Sequence, residues 1–170
     1  LDEAVEKLTA RINAKFGSEG YRPIILLRAH HEPPTVFRYY RAADFCYVSA
    51  LHDGMNLVAK EFVAARNDEA GVLLLSQFAG AARELPESLI VNPYNIDEAS
   101  AAMVRALTMS ADDQRGRMHA MRAFLAEFNV YRWAGRMLMD AARIRRRATV
   151  LGHLDDDIMR LASDPRFRPS

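Results

Sequence analysis

A parallel α/β sheet is the fold this sequence predicts, and two observations carry the prediction. Four short apolar runs, IILL from Ile24, FCYVSA from Phe45, GVLLLSQ from Gly71 and LIVNP from Leu89, read as strands buried on both faces. Between and after them lie segments whose apolar residues recur at helical spacing. Buried strands alternating with short helices indicate crossover units, hence one half of a doubly wound sheet closed by C-terminal helices.

Each element has its own signal. Leu1, Val5, Leu8, Ile12 and Phe16 share a helix face, and Gly17 is a natural stop. Strand 24–28 follows Pro23. Pro33-Pro34-Thr35 punctuates the chain, and VFRYYRAAD beyond it reads as a short helix. After strand 45–50, the run 56–66 places Leu57, Val58, Phe62 and Val63 at helical spacing. Strand 71–77 leads into the small-residue stretch FAGAARE, and 89–93 is the fourth and shortest strand. Ile96-Asp97 opens a helix with Ala99, Ala102, Met103, Ala106 and Leu107 on one face. Ser110 to Asp113 resembles a capping box with Asp in place of Glu, starting a helix with Met118, Met121, Leu125 and Phe128 inward. From Val130 to Arg147 the stripe Val130, Trp133, Met137, Leu138, Ala141 and Ile144 predicts a last docked helix. From Thr149 the chain turns polar, which predicts a domain over 1–148 and a loosely held tail over 149–170.

Bulk properties exclude several function classes. With 170 residues the chain is long enough for one cored domain. A net charge of +1 argues against a general polyanion binder, whose affinity comes from clustered Lys and Arg on phosphates. The one basic cluster, Arg143 with Arg145 to Arg147, has no interleaved aromatics to stack bases and sits where a helix end favours cations anyway. No apolar run approaches the ~20 residues that cross a bilayer. The single cysteine, Cys46, cannot form an internal disulfide. We therefore expect a cytoplasmic protein with neither nucleic-acid nor membrane partner. His30-His31 lacks a third ligand at metal spacing, so no metal is expected. The chain opens without Met inside a helical pattern, which suggests a piece of a longer protein.

In an open parallel sheet, ligands bind beyond the carboxyl ends of strands, and LHDGMNLVAKE (51–61) lies at such an end. Gly54 allows close backbone approach. The first N–H groups of the next helix, around Asn56, Leu57 and Val58, form an anion site assisted by the helix dipole. Asp53, and Glu61 one turn into the helix, can accept bonds from vicinal hydroxyls. A phosphate cradle between two carboxylates suits a sugar nucleotide, although the same residues also make an ordinary strand-to-helix turn. At the next strand end, Gly80 and its alanines permit close packing, and Glu84 is placed to cap or to meet a ligand. No Gly-x-Gly-x-x-Gly follows any strand, which disfavours a nicotinamide-binding domain.

The string DGMNLVAKE, then LSQFAGAARELPESLIVNPYN from Leu75 and the helix with Trp133, resembles the trehalose-6-phosphate synthases from about Gly20 to Arg146. Members of that family transfer glucose from UDP-glucose to glucose 6-phosphate with retention and without a metal. They do so between two Rossmann-like domains of GT-B type. The resemblance implies that this chain is the latter part of the C-terminal, UDP-glucose-binding domain. Asp53 and the backbone at Gly54, Met55 and Asn56 would hold the glucose hydroxyls, with Asp53 the candidate catalytic residue. The N–H groups of Leu57 and Val58 would meet the diphosphate, and Glu61 the ribose. The resemblance departs at His52, where the family has Arg, and at Ser49-Ala50, where it has Thr-Pro. It departs again at Arg28-Ala-His-His, where strand 24–28 ends.

The resemblance places the diphosphate-clamping Arg/Lys pair upstream of Leu1 and the acceptor site in the other domain. The expected partners are thus a sugar nucleotide, the N-terminal domain and the start of the donor domain, with a homo-oligomer left open. In the strand order 3-2-1-4-5-6 the four strands would be the third to sixth, leaving 24–28 without its neighbours. The segment alone is expected to be marginally stable and inactive. Two alternatives stay open: the same donor with another phosphorylated acceptor such as glycerol 3-phosphate, or a non-catalytic nucleotide- or partner-binding chain.

Overall fold

The computed structural model describes residues 2–163. The chain divides into two units, Leu1–Arg38 and Tyr39–Ser170.

The first unit begins with helix α1, Asp2–Phe16, which buries none of its side chains. Gly17 closes it by donating to the Asn13 carbonyl, and a Cβ at Gly17 would sit 2.4 Å from that oxygen. The Asn13 side-chain amide then brackets Ile24, donating to its carbonyl and accepting from its N–H, both at 2.9 Å. Residues 24–28 form no strand, so the expected four-stranded sheet is corrected to three, and Ile25 is 76% exposed. In the expected strand order two strands separate this run from the next, and the described residues supply neither. Its peptide groups consequently have no ladder to join. Helix α2, Pro33–Ala42, crosses the division between the units. Its prolines occupy the first turn, where a missing N–H and a fixed φ cost nothing, so they start the helix that they were expected only to precede.

The second unit holds the sheet: β1 (Phe45–Val48), β2 (Val72–Ser76) and β3 (Leu89–Val91), all parallel, in the order β1-β2-β3. Phe45 pairs with Val72 and Leu74 with Leu89. Consecutive order in a parallel sheet requires crossovers, supplied by α3 (Leu57–Ala65) and by the 3-10 turn Gly80–Arg83. Every residue of β2 is buried, as expected for a central strand covered on both faces. Strand alternation sends Leu73 and Leu75 into one core with Phe62, Val63, Met118 and Met121. Val72 and Leu74 enter a second core with Leu89 and Ala106. Helix α5 (Ala111–Glu127) closes the first core and α4 (Ile96–Thr108) the second. Cys46 sits half-buried in β1, and burial pushes its thiol up to about 11.

Helix ends are tied with care. Asn95 and Ser110 cap α4 and α5, Ser110 accepting from Asp113 N–H at 3.2 Å as its sequence predicts. Two arginines close C-termini, where carbonyls lack helical partners. Arg122 donates to the Val63 and Ala64 carbonyls ending α3. Arg66, itself buried, donates to the carbonyls of Tyr40, Arg41 and Ala43 ending α2.

Two further expectations are corrected. Leu57 and Val58 are exposed, and α3 buries Ala59, Phe62 and Val63 instead. The stripe from Val130 to Ile144 is also exposed, with Trp133 at 57%. Helix α6 runs from Val130 to Ser163, so the polar stretch beginning at Thr149 continues the helix that precedes it. Among the described residues, no helix is long and apolar enough to cross a membrane and no group of His, Cys, Asp or Glu could hold a metal ion.

Candidate functional site

The loop after β1 is built around one carboxylate. Asp53 Oδ1 accepts from the N–H groups of Met55 and Asn56, and Oδ2 from the Asn56 side-chain amide, each at 3.0 Å. These bonds, the Met55 N–H first and the Asn56 side chain next, hold the Asp53 carboxyl below the usual carboxylate range. Three acceptor positions are thereby spent on the loop itself. A carboxylate offers about four, so Asp53 shapes the turn first and retains little for a ligand.

Asn56 takes the strained position that follows. Its φ of 71° lies in the left-handed region, which Asn enters more readily than other side-chain-bearing residues. From there its Oδ1 accepts from Ala59 N–H at 2.9 Å and caps α3. The N–H groups of Leu57 and Val58, ahead of that bond, have no acceptor among the described residues. They stand beside exposed side chains at the positive end of the helix dipole. A Cβ on Gly54 would meet nothing within 4 Å, so the loop's outer face is open there.

The loop after β2 supports this one from beneath. Asp53 N–H donates to the Phe78 carbonyl, Gly80 N–H to that of Asp53 and Ala81 N–H to that of Met55. Asp53 and Ala79 form an isolated parallel bridge. The approach is so close that a Cβ on Gly80 would sit 2.1 Å from the Gly54 carbonyl oxygen. The two stretches singled out in the sequence are therefore one structure, with Gly80 the residue that lets them meet. Glu84 faces Lys60 in an ion pair, so its carboxylate is already partnered.

Glu61 is half-buried, with Oε2 accepting from the Tyr40 hydroxyl at 3.2 Å. Sequence spacing finds Glu61 but neither Tyr40 nor Lys60, because both contacts depend on how α2 and the 3-10 turn pack. Sequence spacing does not find Arg66 either, since a cation at a helix end has a local reason to be there.

A model of glycosyltransferase family 20 matches residues 1–143. The chain belongs to glycosyltransferase family 20. It is 43% identical over 145 residues to the trehalose-6-phosphate synthase of Klebsiella pneumoniae, covering 85% of this chain and 31% of that one. It is 38% identical over 137 residues to a glucosylglycerol-phosphate synthase of Synechocystis, covering 81% of this chain and 28% of that one. A solved UDP-forming α,α-trehalose-phosphate synthase from Burkholderia xenovorans, in complex with glucose-6-phosphate, superposes with a TM-score of 0.79. That structure is 41% identical and covers 82% of this chain and 31% of its own. The chain thus spans about a third of the length of the curated relatives it matches. The fold of a family 20 glycosyltransferase is GT-B, and the parallel sheet with its flanking helices is the part seen here. Within that family 20 frame, Asp53 through Val58 and Glu61 all lie at the carboxyl end of the sheet, on one loop and the first turns of one helix.

Proposed function

We propose that the protein transfers glucose from UDP-glucose to glucose 6-phosphate, giving trehalose 6-phosphate and UDP with retention at the anomeric carbon. The observation that carries this reading is the capped N-terminus of α3, where the Leu57 and Val58 N–H groups are held open by the Asp53–Asn56 turn. Such a terminus suits a diphosphate, since unpaired N–H groups and the helix dipole both favour negative charge there. In the reaction the bond from the anomeric carbon to the β-phosphate oxygen breaks. The acceptor hydroxyl forms the new bond on the same face and passes its proton to the departing phosphate. This chain's part is electrostatic: the Leu57 and Val58 N–H groups stabilise charge growing on that phosphate. Gly54 to Asn56 present backbone groups to the glucose, and Asp53 keeps the turn in shape while offering its remaining acceptor position. Glu61 accepts from the ribose hydroxyls. No metal ion is called for in this scheme, and a cytoplasmic enzyme joining donor and acceptor domains fits it.

Calorimetric titration of UDP and UDP-glucose into the full-length protein tests the reading. Native protein is expected to bind both. Glu61→Ala should weaken both about tenfold, as loss of charge-assisted bonds predicts, and Asp53→Ala should cost more for UDP-glucose than for UDP. Equal binding by both variants, or none by native protein, would sink the donor-site assignment.

The 38% identity to a glucosylglycerol-phosphate synthase favours one second reading, the same donor with glycerol 3-phosphate as acceptor. Product analysis with each acceptor in turn separates the two.

A further inference from the structure

We propose that Tyr40 is a positioning residue for Glu61: its hydroxyl holds one carboxylate oxygen so that the other faces the ribose of the donor. This rests on the ribose-binding reading of Glu61 given above.

The geometry begins with the bond from Tyr40 Oη to Glu61 Oε2 at 3.2 Å. A glutamate side chain on a helix surface samples many rotamers, and ordering it costs entropy at the moment of binding. A tyrosine ring has only two torsions, and this one is held at both ends. It makes a T-shaped contact with Phe62, centroids 6.2 Å apart and planes at 84°. Its carbonyl accepts from Arg66 Nη1 at 3.1 Å, and the same guanidinium nitrogen takes the carbonyls of Arg41 and Ala43. Arg66 is buried, lies 5.9 Å from the Phe62 ring and is paired with Asp68, so the whole support is fixed. The hydroxyl must stay protonated to donate, and burial, then the nearby Glu61 charge, push Tyr40 up to about 12. Lys60 does not compete for Glu61, because its ammonium is engaged by Glu84. The carboxylate is thus preset before the nucleotide arrives, which lowers the cost of binding.

The test compares UDP with 2′,3′-dideoxy-UDP, which lacks the hydroxyls Glu61 would receive, by calorimetry on the full-length protein. Tyr40→Phe removes one oxygen and leaves the ring packing. It is expected to weaken UDP about fivefold, the scale of one hydrogen bond to a charged group, and to leave dideoxy-UDP unchanged. Added to Glu61→Gln, it should have no further effect on UDP. Three results overturn the proposal: unchanged UDP affinity in Tyr40→Phe, equal weakening of both nucleotides, or full additivity with Glu61→Gln. If Glu61→Gln itself fails to change the ratio of the two affinities, the ribose reading falls and takes the proposal with it. If Glu61→Gln lowers the ratio and Tyr40→Phe does not, the reading stands and the proposal alone falls.

Discussion

Leu73 to Leu75 and Ile25 to Leu27 are nearly the same peptide in composition, yet they meet opposite fates. The first three are wholly buried in the middle strand of the sheet, while the second three are exposed in a run without strand structure. What separates them is company. β2 has a hydrogen-bonded strand on each side and a helix layer on each face, whereas the described residues give the backbone of 24–28 the Asn13 amide at Ile24 and no ladder, with Arg28 ion-paired to Glu6 through its side chain. An apolar run states that a segment needs covering. It does not state what covers it.

The largest effect should come from breaking the buried member of this pair. Leu74→Ala is expected to cost about 2–5 kcal/mol of stability, because it leaves a cavity between β2 and α4. Leu27→Ala, in the same chain, should stay within about 0.5 kcal/mol. Urea midpoints of the two variants check the contrast, and a comparable loss in both would show that 24–28 is packed after all. An intermediate effect sharpens the comparison at the site. Gly80→Ala drives a Cβ into the Gly54 carbonyl, so about 1–3 kcal/mol of overpacking is expected together with weaker UDP binding. Gly54→Ala meets open space, and its stability should be close to native.

The smallest effect concerns pH. Asp53 has a lowered folded-state value, so its contribution is present above the unfolded carboxylate value and is lost as pH falls through the folded one. The Met55 and Asn56 amide resonances should therefore shift together below about pH 4, the ordinary aspartate value. A Met55 amide that titrates at the ordinary aspartate value would contradict the bonding described here.

The outcome along the chain follows the same logic as the leucine comparison. The three strands from Phe45 onward, the Ser110 cap and the inward methionines of α5 are legible because strand, cap and partner lie close in sequence or repeat with a clear period. The DGMN turn is legible as well, since Asp, Gly and Asn each have a local reason to be there. Less legible are residues whose work is done over distance. Nothing near Gly80 announces that the Gly54 carbonyl will lie against it, and nothing in Arg66 announces the carbonyls of Tyr40, Arg41 and Ala43. The stripe of α6 shows the converse failure: its period is helical and the helix forms, but no described residues cover Trp133 or Leu138. Periodicity sees a face, and only packing sees its neighbour.

The bridge between Asp53 and Ala79 bears on which changes of length the chain tolerates. It joins the two strand-end loops beyond the β1–β2 ladder, five residues after Val48 on one side and four after Leu75 on the other, so the lengths of both segments together set the height of the α3 N-terminus above the sheet. An insertion between Val48 and Asp53, or between Ser76 and Gly80, would put the two lengths out of step and lift the Leu57 and Val58 amides away from their present level. The turn between Arg66 and Gly71, at the opposite end of β2, lies away from that bridge and is tied separately, Asp68 to Arg66, Glu69 to His119 and the Gly71 N–H to Gln114 Oε1. Length changes at the sheet end that carries Asp53 to Val58 should therefore cost the most, because two loops there must keep their lengths together.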